Sequence, residues 1–239
     1  YPLRRQRQMC IRDSAIPPEI VCGQIEAVME DLQPVAVKIG MVNDIQIVHV
    51  IADCIRKYSP EHIIYDPVMV STSGRRKLMT DEAIEEIKKK LLPLVTLVTP
   101  NIDEAKVLTG KSIQNTQDML EAAKQLSDSY QTHILIKGGH LEGDQMCDLL
   151  YSPDHTYYIY EEKKIESKNL HGTGCTLSSA IASYLAKVYS MKDSICHAKE
   201  YITHAIIAGK NLNIGHGNGP LWHFPDSIAQ MCTFCAVVS

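Results

Sequence analysis

The chain has 239 residues, of which 45% are hydrophobic and 22% charged, with a formal net charge of −4. That composition excludes whole-chain disorder, and the acidic balance argues against nucleic acid, whose backbone needs a concentrated basic surface. The most apolar stretch, Thr176 to Tyr189, is interrupted by serines and by Lys187, so no run reaches the roughly 20 apolar residues a bilayer span requires.

From Pro17 onward the hydrophobic pattern alternates between helical and extended periods. Pro17 and Pro18 open a helix, with Ile20, Ile25, Val28 and Leu32 recurring on one face. An apolar strand at Val35–Ile39 ends at Gly40. Ile47, Val48, Ile51 and Ile55 mark a second helix, and His62–Tyr65 a second strand with Asp66 at its carboxyl end. Thr80 caps a third helix with acids in its opening turns, before Lys88 to Lys90. Leu94–Val98 reads as a third strand ending in Thr99, Pro100 and Asn101. Helices follow near Ile102–Leu108 and Thr116–Tyr130, and a fourth strand at Ile134–Ile136 runs into Lys137, Gly138 and Gly139. Gln145–Tyr151 and Thr156–Tyr160 read as a hairpin, and two long helices occupy Gly174–Tyr189 and Lys192–Asn211.

This alternation predicts a three-layer α/β/α fold with a mainly parallel central sheet. Ligands in such folds sit beyond the carboxyl ends of the strands. Asp66, Asn101, Glu104, Lys137 and the His171–Cys175 loop all fall there. Cys22, Cys54 and Cys196 lie in amphipathic helical patterns, where a free thiol acts as a small hydrophobe. The spacings suggest no disulfide framework, which points to a reducing, cytoplasmic compartment. Cys232 and Cys235 form a lone CxxC with no second pair to complete a ligand set.

Four local patterns bear chemistry, each with a plainer alternative. His171-Gly172-Thr173-Gly174-Cys175 precedes an apolar helix, so its amides and helix dipole suit an anion, and the same field favours a thiolate at Cys175. The plainer reading is a glycine turn before a core helix. Asp66, followed by the polar Ser71–Gly74 loop, suits magnesium or phosphate, or merely caps a turn. Asn101 with Glu104 suits a metal, or a helix capping box. Lys137 beside two glycines suits a polyphosphate, or is a surface lysine before a turn.

Together the patterns are specific. VKIGMV from Val37, YDPVMVSTSG from Tyr65, VTPNIDEAKVLTG from Val98, ILIKGGH from Ile134 and HGTGCTLSSAIASYLA from His171 resemble the ribokinase-like superfamily. They are most similar to its hydroxymethylpyrimidine and phosphomethylpyrimidine kinase branch of thiamine biosynthesis. GHGNGPLWHF from Gly215 matches less strictly. The resemblance implies a kinase domain at 16–224, using ATP and Mg2+ on a small pyrimidine and its monophosphate, in an enzyme that commonly forms homodimers.

It further implies that Gly172, Thr173 and Gly174 form an anion hole and that Cys175 contacts the reacting hydroxyl. Asp66 and Glu104 would organise magnesium, with Asn101 nearby, and Lys137 would neutralise ATP phosphates. Val68 and Met41 would border the pyrimidine. One departure stands out: the family's AGSDSSGGAG-like and VQNT-like opening segments have no counterpart in Tyr1–Ser14. A sheet lacking its first strands, an open edge and impaired activity are the expectation, with 1–15 and 225–239 unassigned. A pyridoxal kinase of the same superfamily and a non-catalytic nucleotide-binding remnant are the alternatives.

Overall fold

A computed structural model describes residues 16–69, 78–139, 145–224 and 237–238. The Ser71–Gly74 loop, His140 and the Cys232/Cys235 pair lie outside the described residues. Helix α1 spans Pro18–Asp31 and leads to strand β1 at Ala36–Ile39. Helix α2 (Ile45–Tyr58) follows, opened by Asp44, whose carboxylate accepts from the amides of Gln46 and Ile47. Strand β2 is His62–Tyr65, and α3 is Asp81–Lys90, capped by Thr80.

Strand β3 is only Leu97–Val98, because Leu92–Leu94 forms a 3-10 turn around Pro93. The longer strand expected from Leu94 onward is therefore shortened: proline removes a ladder donor and starts a turn instead. Then come α4 (Ile102–Thr109), α5 (Thr116–Tyr130), β4 (His133–Lys137), β5 (Gln145–Tyr151), β6 (Tyr157–Lys163), α6 (Thr173–Ala186), α7 (Met191–Gly209) and β7 (Val237–Val238).

The sheet runs in the order β1-β2-β3-β4-β5-β6-β7. The β1–β2, β2–β3 and β3–β4 pairs are parallel, and the remaining pairs antiparallel. Among the described residues β1 pairs with β2 alone.

Period-two alternation divides the strands between two cores. Ile63, Tyr65, Val98, Ile134, Ile136 and Leu149 face a core shared with α2 to α5. Ile64, Leu97, Leu135 and Leu150 face one shared with α6 and α7 through Leu177, Ile181, Leu185 and Ile195. This is the expected three-layer arrangement.

The helix expected from Pro17 onward forms, and one expectation about a cysteine needs correction. The apolar stripe of α1 is covered only in part: Ile25 is half-buried, Ile20, Val28 and the C-capping Leu32 are 50%, 46% and 71% exposed, and Met29 is the buried residue of that helix. A periodic stripe shows which face is apolar, not whether a partner covers it. Cys196 is disulfide-bonded rather than a free small hydrophobe, whereas Cys22 and Cys54 are free thiols in contact across α1 and α2.

Candidate active site

The carboxyl ends of β1 to β4 bring the polar residues together. Asp66 follows β2 directly and is 2% exposed. Its Oδ1 accepts from the Thr99 hydroxyl at 3.2 Å and from Lys137 Nζ at 2.9 Å. Its Oδ2 accepts from the Ser178 hydroxyl at 3.4 Å, with Lys38 Nζ 3.8 Å away. A buried carboxylate is costly unless paired and hydrogen-bonded, and Asp66 is both. Two lysines therefore converge on it, one from β1 and one from the end of β4.

Glu104 sits beside this pair and closes the N-terminus of α4. Its Oε2 accepts from the Asn101 amide at 2.8 Å, while Asn101 Oδ1 accepts from the Glu104 amide at 2.9 Å. The capping box suggested by the Asn-x-x-Glu spacing is thus present. Oε1 also accepts from the Met69 amide at 3.4 Å. Burial is the largest influence on this carboxyl and pushes its pKa up to about 7; Lys137 and the amide bonds oppose the rise.

Helix α6 stands over these groups. Gly172 opens it at φ 90°, in the left-handed region that glycine adopts freely, and supplies no side-chain cap to the first turn. The opening amides of a helix lack intrahelical carbonyl partners, and here the positive end of a 14-residue helix lies over the site. A Cβ added to Gly174 would lie 3.5 Å from Lys137 Nζ and 3.8 Å from Asp66 Oδ2. The helix start and the Asp66–Lys137 pair therefore share one small space. Ser178, one turn further along, ties the helix to Asp66.

Cys175 is an exposed free thiol at the head of an open groove of about 530 Å3 along α6, lined also by Ser179, Ser183, Tyr184, Tyr201 and His223. Thr173 donates its hydroxyl to the Leu170 carbonyl at 3.1 Å. Met41 lies just beyond β1 and is 53% exposed, and Val68 lies two residues beyond Asp66 and is half-buried.

The structure thus gathers Asp66, Asn101, Glu104, Lys137 and Gly174, and places Gly172, Thr173 and Cys175 on the same helix start. Met41 and Val68 stand at neighbouring strand ends. Sequence reasoning missed Lys38, Thr99 and Ser178 as partners of Asp66. A lysine inside the apolar strand Ala36–Ile39 was a usable signal for the first, and a serine four residues after Gly174 on an apolar helix for the last.

A mixed α/β sheet, with lysines and carboxylates gathered at the ends of its parallel strands under a glycine-opened helix, has the layout of the ribokinase-like kinases. The family model for phosphomethylpyrimidine kinase matches residues 5–222. The hydroxymethylpyrimidine/phosphomethylpyrimidine kinase of Rhizobium meliloti is 41% identical over 210 residues, covering 87% of this chain and 78% of that one. The crystal structure of a phosphomethylpyrimidine kinase from Clostridium difficile 630 superposes with a TM-score of 0.72 at 40% identity, covering 82% of this chain and 79% of that one. A pyridoxal kinase from Staphylococcus aureus in complex with AMP-PCP superposes with a TM-score of 0.80 at 30% identity, covering 89% and 76%. The chain belongs to the phosphomethylpyrimidine kinase family.

Proposed function

We propose that this chain transfers the terminal phosphoryl group of ATP to the hydroxymethyl group of 4-amino-5-hydroxymethyl-2-methylpyrimidine, and then a second to the resulting monophosphate. The observation that carries this reading is the Asp66–Lys137 pair, at 2.9 Å, directly beneath the start of α6 that bears Cys175. In the reaction the alcohol oxygen forms a bond to the γ-phosphorus, the bond to the β,γ-bridging oxygen breaks, and ADP leaves with that electron pair. The proton of the alcohol passes to a base at the start of α6, the role assigned to the Cys175 sulfur.

Phosphoryl transfer depends on alignment and charge stabilisation more than on covalent help. Lys137, with Lys38 nearby, would meet phosphate oxygens, while the amides of Gly172, Thr173 and Gly174 and the helix dipole receive the charge on the transferred group. Met41 and Val68 would border the pyrimidine. A complex of the Staphylococcus aureus kinase with AMP-PCP supports ATP as the donor.

Magnesium fits the donor set. Asp66 and Glu104 are buried oxygen donors, the hard ligands this ion takes, and one or two carboxylates with water and phosphate usually suffice. Both oxygens of Asp66 and both of Glu104 already accept hydrogen bonds, so each carboxylate would support the ion through water. When bound, the ion would offset charge on the ATP phosphates.

A pyridoxal kinase reading is favoured by the likeness to the Staphylococcus aureus enzyme. Initial rates with each alcohol, in ATP and magnesium, separate the two. Faster turnover of pyridoxal than of the pyrimidine would reverse the order proposed here. In either case Cys175→Ala should lower kcat by about 100-fold or more, the usual scale for a positioned acid or base, while leaving the ATP dissociation constant near that of the parent. An undiminished kcat would remove Cys175 from the reaction.

A further inference from the structure

A second set of buried charges lies one residue beyond Lys137. The amide of Gly138 donates to Asp148 Oδ1 on β5 at 2.9 Å. The backbones press so closely here that a Cβ on Gly138 would lie 1.9 Å from the Cys147 carbonyl oxygen. Asp148 is 4% exposed, and its Oδ2 meets Lys199 Nζ of α7 at 2.5 Å. Lys199 is 5% exposed and also faces Glu162 Oε2 on β6 at 3.4 Å, an oxygen that accepts from the Thr203 hydroxyl. One lysine from α7 thus spans β5 and β6 and holds the carboxylate that fixes the backbone at the end of β4.

A buried ion pair is weak evidence of stability, because apolar side chains of similar volume often serve as well or better. What leucine and methionine could not supply is an oriented acceptor for the Gly138 amide. We propose that the Lys199–Asp148 pair is a positioning device for the nucleotide-phosphate site, clamping Gly138 and so setting the direction in which Lys137 enters it. This rests on the assignment of Lys137 to ATP phosphates. Lys199 and Asp148 touch no reacting group and act through Lys137.

Two double variants separate this role from ordinary packing. K199M/D148N and K199M/D148L both remove the buried pair and both leave Glu162 without its lysine, so they differ only at position 148. The first keeps a side-chain oxygen for Gly138, and the second does not. The KM for ATP and for the alcohol, kcat, and the thermal midpoint would be measured for both and for the parent chain.

K199M/D148L should raise the KM for ATP about tenfold or more, the scale on which misplaced positioning groups act, with the alcohol KM unchanged. K199M/D148N should stay within about threefold of the parent, with the acceptor kept in place. Equal ATP KM values in the two double variants would overturn the inference, as would a loss shared by every kinetic parameter and the thermal midpoint. If K199M/D148L does not fold, Lys199→Gln decides: an ATP KM raised at a constant alcohol KM supports the clamp, and an unchanged ATP KM overturns it. A parent chain whose ATP affinity is unaffected by Lys137→Ala would refute the assignment of Lys137, and the clamp with it; the clamp alone fails if Lys137→Ala weakens ATP and K199M/D148L does not.

Discussion

The Glu104 carboxyl both closes α4 and borders the Asp66–Lys137 pair, and its burial makes it sensitive to pH. Its folded-state pKa of about 7 lies above the ordinary value of 4.5, so between those limits the folded chain binds more protons than the unfolded one. Stability therefore falls as pH rises from about 4.5 to about 7 and is level above that, a contribution on the order of 3 kcal/mol for a displacement of that size. Glu104→Gln cannot ionise and keeps an oxygen for the Asn101 amide. Urea unfolding at pH 5 and pH 8 should show this slope in the parent chain and a flatter one in the variant. Equal slopes would assign the pH dependence to other groups.

At the scale of elements, the start of α6 is the place where fold and site can be told apart. A methyl group at Gly174 meets Lys137 Nζ and Asp66 Oδ2 only at ordinary contact distances of 3.5 and 3.8 Å. Gly174→Ala should therefore fold with stability unchanged or raised by up to about 1 kcal/mol, since alanine is the better helix former. The methyl would nonetheless occupy space that the phosphates need. ATP affinity, by calorimetry, should fall about tenfold or more, as expected when a positioned group is displaced. Full affinity in G174A would place the phosphates elsewhere.

Much of this element scale was legible in the sequence. The strand ends at Asp66 and Lys137, the capping box at Asn101 and Glu104, and the glycine-opened helix each follow from local periodicity and turn chemistry. The partners of Asp66 were not, because Lys38, Thr99 and Ser178 meet it only once parallel strands and α6 are stacked. The Lys199–Asp148 pair joins residues 51 apart in the chain, and a lone lysine on a helix gives no sign of such burial. The stripe on α1 marks the converse limit: local pattern shows amphipathicity but not the covering layer.

For the whole molecule, the central strands serve two cores at once, so their loss is felt on both faces of the sheet. Leu135 is fully buried in β4. Leu135→Ala should cost about 2–5 kcal/mol in denaturant unfolding, as large cavities in such cores do. The opposite extreme is α1, where Met29 is the one buried residue and Ile20 and Val28 are about half exposed. Its amides should exchange with solvent faster than those of β2 and β4, because few buried contacts must break to open it. Equal protection would mean that α1 is covered as well as the central strands are.

The central claim is that this chain is a pyrimidine kinase acting at the start of α6. Its most direct test is ATP- and magnesium-dependent phosphorylation of hydroxymethylpyrimidine by the parent chain and by C175A, with pyridoxal as comparator and ATP affinity measured alongside. Turnover of the pyrimidine by the parent, lost in C175A at unchanged ATP affinity, is the predicted result. Folded parent chain that binds ATP yet phosphorylates neither alcohol would contradict the account.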